Sequence, residues 1–371
     1  MTGKIIIHGM MTSQNFGDIL LAEIVTGWLR ELTTAELLSA YAAPDVQAIL
    51  GTRNATPGDY VSANGVVLSG GGYFQMMDSG YPALKRFLKN TGPLQLAQLF
   101  GKPTALIGVG VDRLPHASMR FMLRRLLNHA VAAGLRDPNS LACAEELGLR
   151  RHAELTNDLV FSLDATTLDP QKQAAAAARR ERLGSDRLVG LHLSGTSTSA
   201  PDYARLHERL RLALADAPPS TGYLIIEDHP SKEKGGQSDA QQEILSYLPA
   251  GRAEIVRYDG TRSMLALLHS LDSVFTNKLH VGLAAAAMGT MPFSLAKNRK
   301  NLASFDALGI GGNCLMLSAA TGDMDRILAS AITHSGRFTV PPDVRALSMK
   351  NRDLLKKFVA AALPSARGVQ H

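Results

Sequence analysis

The stretch Ser273–His280 reads SVFTNKLH and joins an apolar strand to the small-residue segment Val281–Met288. An apolar strand that runs into polar residues and then into an alanine-rich helix is typical of parallel α/β sheets, where ligands bind at the carboxyl ends of the strands. Lys278 and His280 are two residues apart, so their side chains point the same way if the strand geometry continues through them. A cation beside a proton donor suits an anionic ligand.

The alternation of strand and helix patterns extends along the whole chain and predicts an α/β fold with parallel sheets. Strands are predicted near Lys4–His8, Val66–Ser69, Thr104–Val109, Ala130–Leu135, Arg187–Leu193, Tyr223–Glu227, Glu254–Arg257, Ser273–Thr276, Met291–Leu295 and Cys314–Leu317.

A chain of 371 residues exceeds what one core usually supports. We therefore expect two Rossmann-like domains that face each other across a cleft, at residues 1–170 and 171–345, followed by a C-terminal helix and tail at residues 346–371. The segment Gln171–Arg187 could be a helical linker or the first helix of the second domain. The helix predicted at Ser348–Leu363 could pack on either domain.

The composition is that of an ordinary globular protein, with 45% hydrophobic and 19% charged residues. The formal net charge of +6 favours anionic ligands or an anionic membrane face. No cluster of Lys and Arg interleaved with aromatic residues occurs, which argues against nucleic acid as a partner. Because no run of 18 apolar residues occurs, contact with a membrane would be peripheral.

The two cysteines, Cys143 and Cys314, are far apart and fit neither a disulfide framework nor a metal-ligand spacing. A reducing compartment is therefore expected, and the predicted location is the cytoplasm, including the inner face of the membrane. The apolar run near the amino terminus is too short for a signal peptide. Neither a metal nor a bound cofactor is predicted.

The first half of the chain has three strand ends marked by glycine. In the segment Asn15–Asp18, which reads NFGD, an asparagine or an aspartate can cap the next helix, and a helix amino terminus attracts anions. Successive backbone N–H groups of Gly70–Gly72 could form an anion-binding nest. The third strand ends with Gly108–Gly110. A plain turn is the alternative interpretation of each, since neither a Walker A nor a G-x-G-x-x-G motif is present.

In their order and spacing these motifs resemble those of the polysaccharide pyruvyl transferases. The resemblance runs from about residue 13 to about residue 310 and rests on Asn15-x-Gly17-Asp18, Gly70-Gly71-Gly72, Gly108-x-Gly110, Arg136-Asp137-x-x-Ser140, Asp158 with Phe161, Lys278-Leu279-His280, Gly289-x-x-Pro292 and Lys297.

This resemblance implies a fold like that of GT-B glycosyltransferases, with phosphoenolpyruvate as the donor substrate and a saccharide or lipid-linked saccharide as the acceptor. The product would be a pyruvate ketal on a cell-surface polysaccharide or its precursor. An Arg-Leu-His motif binds the donor in such enzymes, and its counterpart here is Lys278-Leu279-His280. Lysine lacks the bidentate fork of arginine. A second departure follows the first strand of the second domain, where Ser194-Gly195-Thr196 stands in place of the usual arginine.

Ketal formation from an enol ether requires a proton on the methylene carbon, which creates an oxocarbenium-like centre that sugar hydroxyls attack. His280 is the candidate general acid, and Asp18 or Asp158 could accept a hydroxyl proton. The other predicted substrate-binding residues are Asn15, Gly17, Gly70, Gly71, Gly72, Ser194, Gly195, Thr196, His229, Lys278, Leu279, Lys297, Arg299 and Lys300.

Several of these residues have a structural alternative. His280 could be a core histidine, Lys297–Lys300 a solvated loop, and Asp18 a helix cap. For the pair Arg136-Asp137 a structural role at a strand end is favoured, and for His229 a place on the loop surface is favoured.

Two other functions fit the same sequence. One is a glycosyltransferase that uses a nucleotide sugar, since its fold would be the same and the altered cation positions could reflect a changed donor. The other is a non-catalytic saccharide- or anion-binding relative that retained the fold.

Overall fold

The structure is a computed structural model that describes residues 3–12, 14–75, 80–149, 153–193, 201–230, 237–296 and 299–364. The chain divides into two compact units. The N-terminal unit comprises Met1–Ser162 and Arg345–His371, and the C-terminal unit comprises Leu163–Val344.

The N-terminal unit is built on a parallel sheet whose strands follow the order β3-β2-β1-β4-β6-β7-β8, with β5 paired to β6 beside this path. The strands are β1 (Lys4–His8), β2 (Glu36–Ser39), β3 (Arg53–Asn54), β4 (Gly65–Leu68), β5 (Gly71–Phe74), β6 (Thr104–Val111), β7 (Ala132–Leu135) and β8 (Glu154–Leu155). The helices of this part of the chain are α1 (Phe16–Leu32), α2 (Pro44–Leu50), α3 (Pro57–Ser62), α4 (Gly80–Leu99), α5 (Ala117–His129) and α6 (Pro138–Glu145).

The C-terminal unit has a second parallel sheet in the order β11-β10-β9-β12-β13-β14. Its strands are β9 (Arg187–His192), β10 (Thr221–Ile226), β11 (Ala253–Val256), β12 (Ser273–Thr276), β13 (Met291–Ala296) and β14 (Cys314–Met316). Its helices are α7 (Pro170–Arg182), α8 (Pro201–Ala215), α9 (Gln237–Ser246), α10 (Thr261–Ser270), α11 (Leu279–Ala287), α12 (Arg299–Ala307) and α13 (Thr321–Thr333). The last helix, α14 (Pro342–Ala362), returns to the N-terminal unit from Arg345 onward.

Both sheets have the Rossmann strand order, in which the chain moves outward from the first strand and then returns to its other side. The central strands are buried on both faces, as parallel sheets covered by helices require. Ile5–Ile7 of β1, for example, are fully buried. The prediction of two parallel-sheet α/β domains is thus confirmed.

The two segments that the sequence left open are helical. Residues 171–187 contain most of α7, which begins at Pro170 and belongs to the C-terminal unit. The last helix, α14, packs on the N-terminal unit: Ser348 Oγ donates to the carbonyl of Asp158 at 2.8 Å, and Asn351 Nδ2 donates to that of Asn157 at 2.8 Å. In the part of the chain described, no helix has both the length and the apolar character to span a membrane.

His8, at the carboxyl end of β1, should make the protein less stable in acid. The side chain is 3% exposed, and burial lowers the pKa of its imidazole to about 4. Between pH 6.5 and pH 4 the unfolded chain therefore binds a proton that the folded chain does not, so stability falls as the pH falls through this interval. Over this interval the free energy of unfolding falls by about 3 kcal/mol, because each unit of pKa difference is worth about 1.4 kcal/mol.

Denaturant unfolding at pH 7 and pH 4 measures this contribution. We expect His8→Gln to lose less stability between the two pH values than the parent, whereas His129→Gln, at an exposed position of the same unit, should behave as the parent. An unchanged pH dependence in His8→Gln would show that other groups cause the acid sensitivity.

Candidate functional site

The carboxyl ends of β9, β10 and β12 lie side by side, because β9 pairs with β10 on one edge and with β12 on the other. The crevice at which a Rossmann sheet reverses its strand order is the usual ligand site of such folds. His192, the last residue of β9, is in register with Thr276, the last residue of β12. This strand edge is the candidate functional site of the C-terminal unit.

Asp228 is the centre of a cluster of charged and polar side chains at this edge. Its carboxylate accepts from Lys278 Nζ at 2.5 Å and from His229 Nδ1 at 2.9 Å. His192 Nε2 lies 3.5 Å from Asp228 Oδ1. Asp228 and His192 are buried, while the side chains of Lys278 and His229 are 30% and 42% exposed. The cluster thus joins a buried carboxylate to two side chains that reach solvent.

The cluster keeps Asp228 ionised. Burial alone would raise the pKa of its carboxyl group, but His192, His229 and Lys278 together hold that pKa well below the usual range. The ammonium group of Lys278 consequently has a permanent counter-ion, and His229 has a fixed partner for one ring nitrogen.

The contacts of His192 place a proton on Nε2. Its Nδ1 lies 2.7 Å from Thr276 Oγ1, and its Nε2 faces the carboxylate of Asp228. An ionised carboxylate can only accept, so Nε2 carries a proton. The same Thr276 oxygen accepts from the backbone N–H of Lys278 at 3.0 Å, which ties the turn after β12 to the cluster.

The expected extension of strand geometry through Lys278 and His280 is wrong. Strand β12 ends at Thr276, Lys278 is the N-cap of α11, and the helix begins at Leu279. The run from Val281 to Ala287 consists of small or apolar residues and is buried, so the chain forms a core helix as soon as the strand ends. The alternation of side chains in a strand therefore does not relate the two residues.

His280 lies instead in the first turn of α11 and is half-buried. The N-cap residue, Lys278, makes no side-chain capping hydrogen bond, and the positive end of the helix dipole lies at the strand edge. Leu279, the middle residue of the predicted donor motif, is 7% exposed and packs in the core.

In the N-terminal unit, Asn15 caps α1 and its side chain accepts from the N–H of Gly17 at 3.2 Å. Asp18 is half-buried in the first turn of the same helix. Its charge contributes to raising the pKa of Tyr73, although burial of that phenol is the larger cause. The structure thus gives Asn15 a capping role, and catalysis by Asp18 stays a prediction.

The glycines of the N-terminal unit have close neighbours. A Cβ atom on Gly70 would lie 2.7 Å from Leu159 Cδ1, and one on Gly110 would lie 2.8 Å from Arg136 Nε. Gly71 and Gly72 begin β5, beside β6. Packing therefore accounts for glycine at positions 70 and 110. Substrate binding by Gly70–Gly72 remains a prediction.

Arg136 is a buried connector in the N-terminal unit. Its guanidinium lies 3.4 Å from Asp158 Oδ2, 3.6 Å from Asp137 Oδ2, and donates to Gln75 Oε1 at 2.9 Å. Asp137 also caps α6 by accepting from the N–H of Ser140 at 2.7 Å. These contacts agree with the structural role favoured for the Arg136-Asp137 pair.

Several predicted binding residues lie on α12 or outside the described part of the chain. Lys300 is exposed on α12. Arg299 begins that helix, but its side chain lies outside the described part. Ser194, Gly195, Thr196 and Lys297 also lie outside the described residues.

Sequence reasoning missed His192 and Asp228. The signal for both was present, because each stands at or just beyond the end of a predicted strand at the same sheet edge. The sequence pattern pointed to His229 and not to its neighbour Asp228. Only the fold shows that Lys278, 50 positions away, donates a hydrogen bond to Asp228.

A family model described as polysaccharide pyruvyl transferase matches residues 15–296. No curated protein is significantly similar in sequence.

Several solved structures share the architecture at low sequence identity. UDP-GlcNAc 2-epimerase from Methanocaldococcus jannaschii has a TM-score of 0.61 at 11% identity, over 95% of this chain and 99% of that chain. HepE from Anabaena, in complex with UDP-glucose, has a TM-score of 0.57 at 14% identity, over 97% of this chain and 98% of that chain. UDP-GlcNAc 2-epimerase from Neisseria meningitidis, bound to UDP-GlcNAc, has a TM-score of 0.59 at 10% identity, over 95% of this chain and 100% of that chain. At these identities the likeness shows the fold alone, which is GT-B-like.

Proposed function

The chain belongs to the polysaccharide pyruvyl transferase family, and we propose that it transfers the pyruvyl group of phosphoenolpyruvate to two hydroxyl groups of a saccharide. The acceptor is a cell-surface polysaccharide or its lipid-linked precursor, and the reaction takes place in the cytoplasm or at the inner face of the membrane. The product is a pyruvate ketal, which adds one carboxylate to the sugar. The observation that carries the proposal is the first turn of α11, where Lys278 and His280 stand at the strand-order reversal of the C-terminal unit.

The first turn of α11 is suited to an anionic donor. Its backbone N–H groups and the positive end of the helix dipole attract phosphate or carboxylate. The ammonium group of Lys278 adds a positive charge at the same place, and Lys297, Arg299 and Lys300 follow the next strand along the sheet, β13. A donor with a phosphate and a carboxylate needs several cations of this kind.

The bond to Asp228 bears on how Lys278 binds. An ammonium group has three N–H donors, and one of them is used by the carboxylate. The other two N–H groups are available to a phosphate or carboxylate oxygen of phosphoenolpyruvate. The carboxylate of Asp228 holds the flexible lysine side chain in one place. We propose that this anchoring replaces part of the rigidity that the arginine of the usual motif supplies.

The chemistry proceeds by addition and elimination at one carbon. His280 delivers a proton to the methylene carbon of phosphoenolpyruvate, which becomes a methyl group and leaves a cationic centre at the neighbouring carbon. The first sugar hydroxyl adds there, inorganic phosphate departs, and the second hydroxyl closes the ketal ring. Of the two hydroxyl protons released, one restores His280, and Asp18 is the proposed acceptor of the other.

The nucleotide-sugar alternative gains no support from the structural neighbours. UDP-glucose and UDP-GlcNAc are ligands of those proteins, and the identities of 10–14% extend only the fold to this chain. The family match favours pyruvyl transfer instead.

Isotope transfer tests the proposed reaction. The protein is incubated with phosphoenolpyruvate labelled in its three carbons and with saccharide extracts from cell envelopes. We expect the label in an acid-labile ketal and one inorganic phosphate released for each ketal formed. Sugar transfer from a nucleotide sugar to the same extracts, with no label from phosphoenolpyruvate, would contradict the proposal.

Lys278→Ala should weaken phosphoenolpyruvate binding by about 1.5–3 kcal/mol, the value of a hydrogen bond to a charged group. Lys278→Arg should bind at least as well as the parent, because arginine restores the fork. Calorimetric titration measures the three affinities. Lys356→Ala, at an exposed position of α14, is the matched control and should leave affinity unchanged. Equal affinity in Lys278→Ala and the parent would remove Lys278 from the donor site.

A further inference from the structure

A small pocket in the C-terminal unit lies beside the candidate site and is not used by the mechanism above. Its volume is about 130 Å³, and it is bordered by α7, α10 and the carboxyl ends of β10 and β11. An apolar wall is formed by Val256, Met264 and Leu267, and polar groups are supplied by Glu227, Tyr258 and Arg257. Apolar pockets with a few converging polar groups are the usual form of a small-molecule site.

Glu227 is the unusual member of this lining. The residue is 5% exposed, and its carboxylate forms no hydrogen bond or ion pair with any residue that the structure describes. Its oxygens are not among the enclosed unpaired atoms of those residues, so they open into the pocket that Glu227 lines. Its backbone N–H donates to the carbonyl of Val256 at 3.0 Å, so β-sheet pairing continues through it. The two neighbouring carboxylates differ in their surroundings, since Glu227 lines this pocket and Asp228 bonds to Lys278 in the cluster.

The neighbouring cations do not compensate Glu227. Arg179 bonds to Glu254, and Lys172 lies 3.5 Å from Asp259. Arg257 is exposed at the rim. A carboxylate that opens into a pocket and has no protein donor is hydrated there, and a ligand with suitably placed hydroxyl donors can replace that water. Two hydroxyl groups on adjacent carbons match the two oxygens of a carboxylate.

A sugar ring has the remaining features that this pocket requires. Its C–H face can pack on the apolar wall while its hydroxyl edge faces Glu227. The volume of about 130 Å³ is close to the ~150 Å³ of cavities that accept a six-membered ring such as benzene. Arg257, an exposed cation at the rim, can bind an anionic substituent on the ring.

We infer that this pocket binds one sugar ring of the acceptor through a pair of adjacent hydroxyls that donate to Glu227, with a phosphate substituent near Arg257. The identity of the ring as part of the acceptor rests on the proposed function. The ribose of a nucleotide has the same chemistry, a diol with an attached phosphate, so the experiment must separate the two sources.

Calorimetric titration of the full-length protein with glucose 1-phosphate, galactose 1-phosphate, N-acetylglucosamine 1-phosphate and UMP is the test, with phosphoenolpyruvate titrated in parallel. We expect at least one sugar phosphate to bind, and Glu227→Gln to weaken that binding about 10- to 100-fold because a charged acceptor is lost. Glu181→Gln, on the exposed surface of α7, should bind as the parent does. Ala175→Trp, which fills the pocket from the exposed side of α7, should abolish binding.

Stability provides a second readout. Because no described residue bonds to the carboxylate, removing its charge breaks no contact, and Glu227→Gln should unfold at about the same temperature as the parent. A structural carboxylate would give the opposite result, a lower unfolding temperature with unchanged affinity, and this would overturn the inference.

The arms of the titration have separate consequences. If phosphoenolpyruvate binds and no sugar phosphate does, the pocket assignment fails while the donor assignment stands. If UMP binds in a Glu227-dependent way and the sugar phosphates do not, the ring belongs to a nucleotide, and the acceptor assignment is overturned.

Discussion

Replacing His280 with glutamine should preserve the fold and lower the rate of pyruvyl transfer by about 10²- to 10⁴-fold, the usual contribution of general acid catalysis. Glutamine can form a hydrogen bond but has no proton to transfer at neutral pH. The residue lies in the first turn of α11 and is half-buried, so the substitution exposes no core. Single-turnover formation of the ketal measures the effect directly, and thermal unfolding checks the fold.

His229→Gln is the matched comparison, because this histidine stands at the same strand edge and donates from Nδ1 to Asp228 at 2.9 Å. If His280 is the acid, His229→Gln should retain most of the single-turnover rate. The reverse pattern, in which His229→Gln is inactive and His280→Gln is not, would assign the proton transfer to His229.

Asp228→Ala should lower the free energy of unfolding by about 3–5 kcal/mol at pH 7, the cost of removing one partner of a buried ion pair. The substitution leaves His192 buried without its acceptor and Lys278 without its counter-ion. Asp228→Asn should recover part of the loss, because its side-chain oxygen can still accept a hydrogen bond from His229 or Lys278. Denaturant unfolding of the three proteins provides the measurement.

The effect of Asp228 must also depend on pH. Its folded pKa is held below the ordinary value of 3.8, so its stabilisation is complete above that value and is lost as the pH falls through the folded pKa. The gap between parent and Asp228→Ala should therefore be constant from pH 5 upward and narrow in stronger acid. Asp353→Ala is the control: its ion pair with Lys356 is exposed and should be worth about 0–1 kcal/mol at every pH. An equal loss in both variants would mean that the cluster does not stabilise the unit.

The sequence predicted the architecture where the pattern was strong. Lys4–His8 and Ser273–Thr276 are apolar runs between polar residues, and β1 and β12 have those bounds. It missed the inner strand β2 and the two edge strands, β3 and β8, of the N-terminal sheet. Strand β2 has the sequence ELLS, and glutamate and leucine carry little strand preference; its pairing with β1 forms it. The two-residue strands β3 and β8 are too short to show any periodicity.

The sequence predicted which sheet edge carries the candidate site, but not which side chains contact one another there. Residues at the ends of parallel strands converge by the geometry of the sheet, which is why Lys278, His229 and His280 could be named from sequence. The bond between Lys278 and Asp228 depends on β10 and β12 flanking β9, and strand order cannot be read from one sequence. The onset of α11 at Leu279 was missed because no capping side chain announces it.

The most direct test of the account is thermal unfolding of the purified protein with phosphoenolpyruvate and, in parallel, with UDP-glucose and UDP-GlcNAc. The account predicts that phosphoenolpyruvate at about a hundredfold excess over its dissociation constant stabilises the fold by roughly 2.7 kcal/mol, without added metal, and that neither nucleotide sugar does so. Stabilisation by a nucleotide sugar with no effect of phosphoenolpyruvate would contradict it.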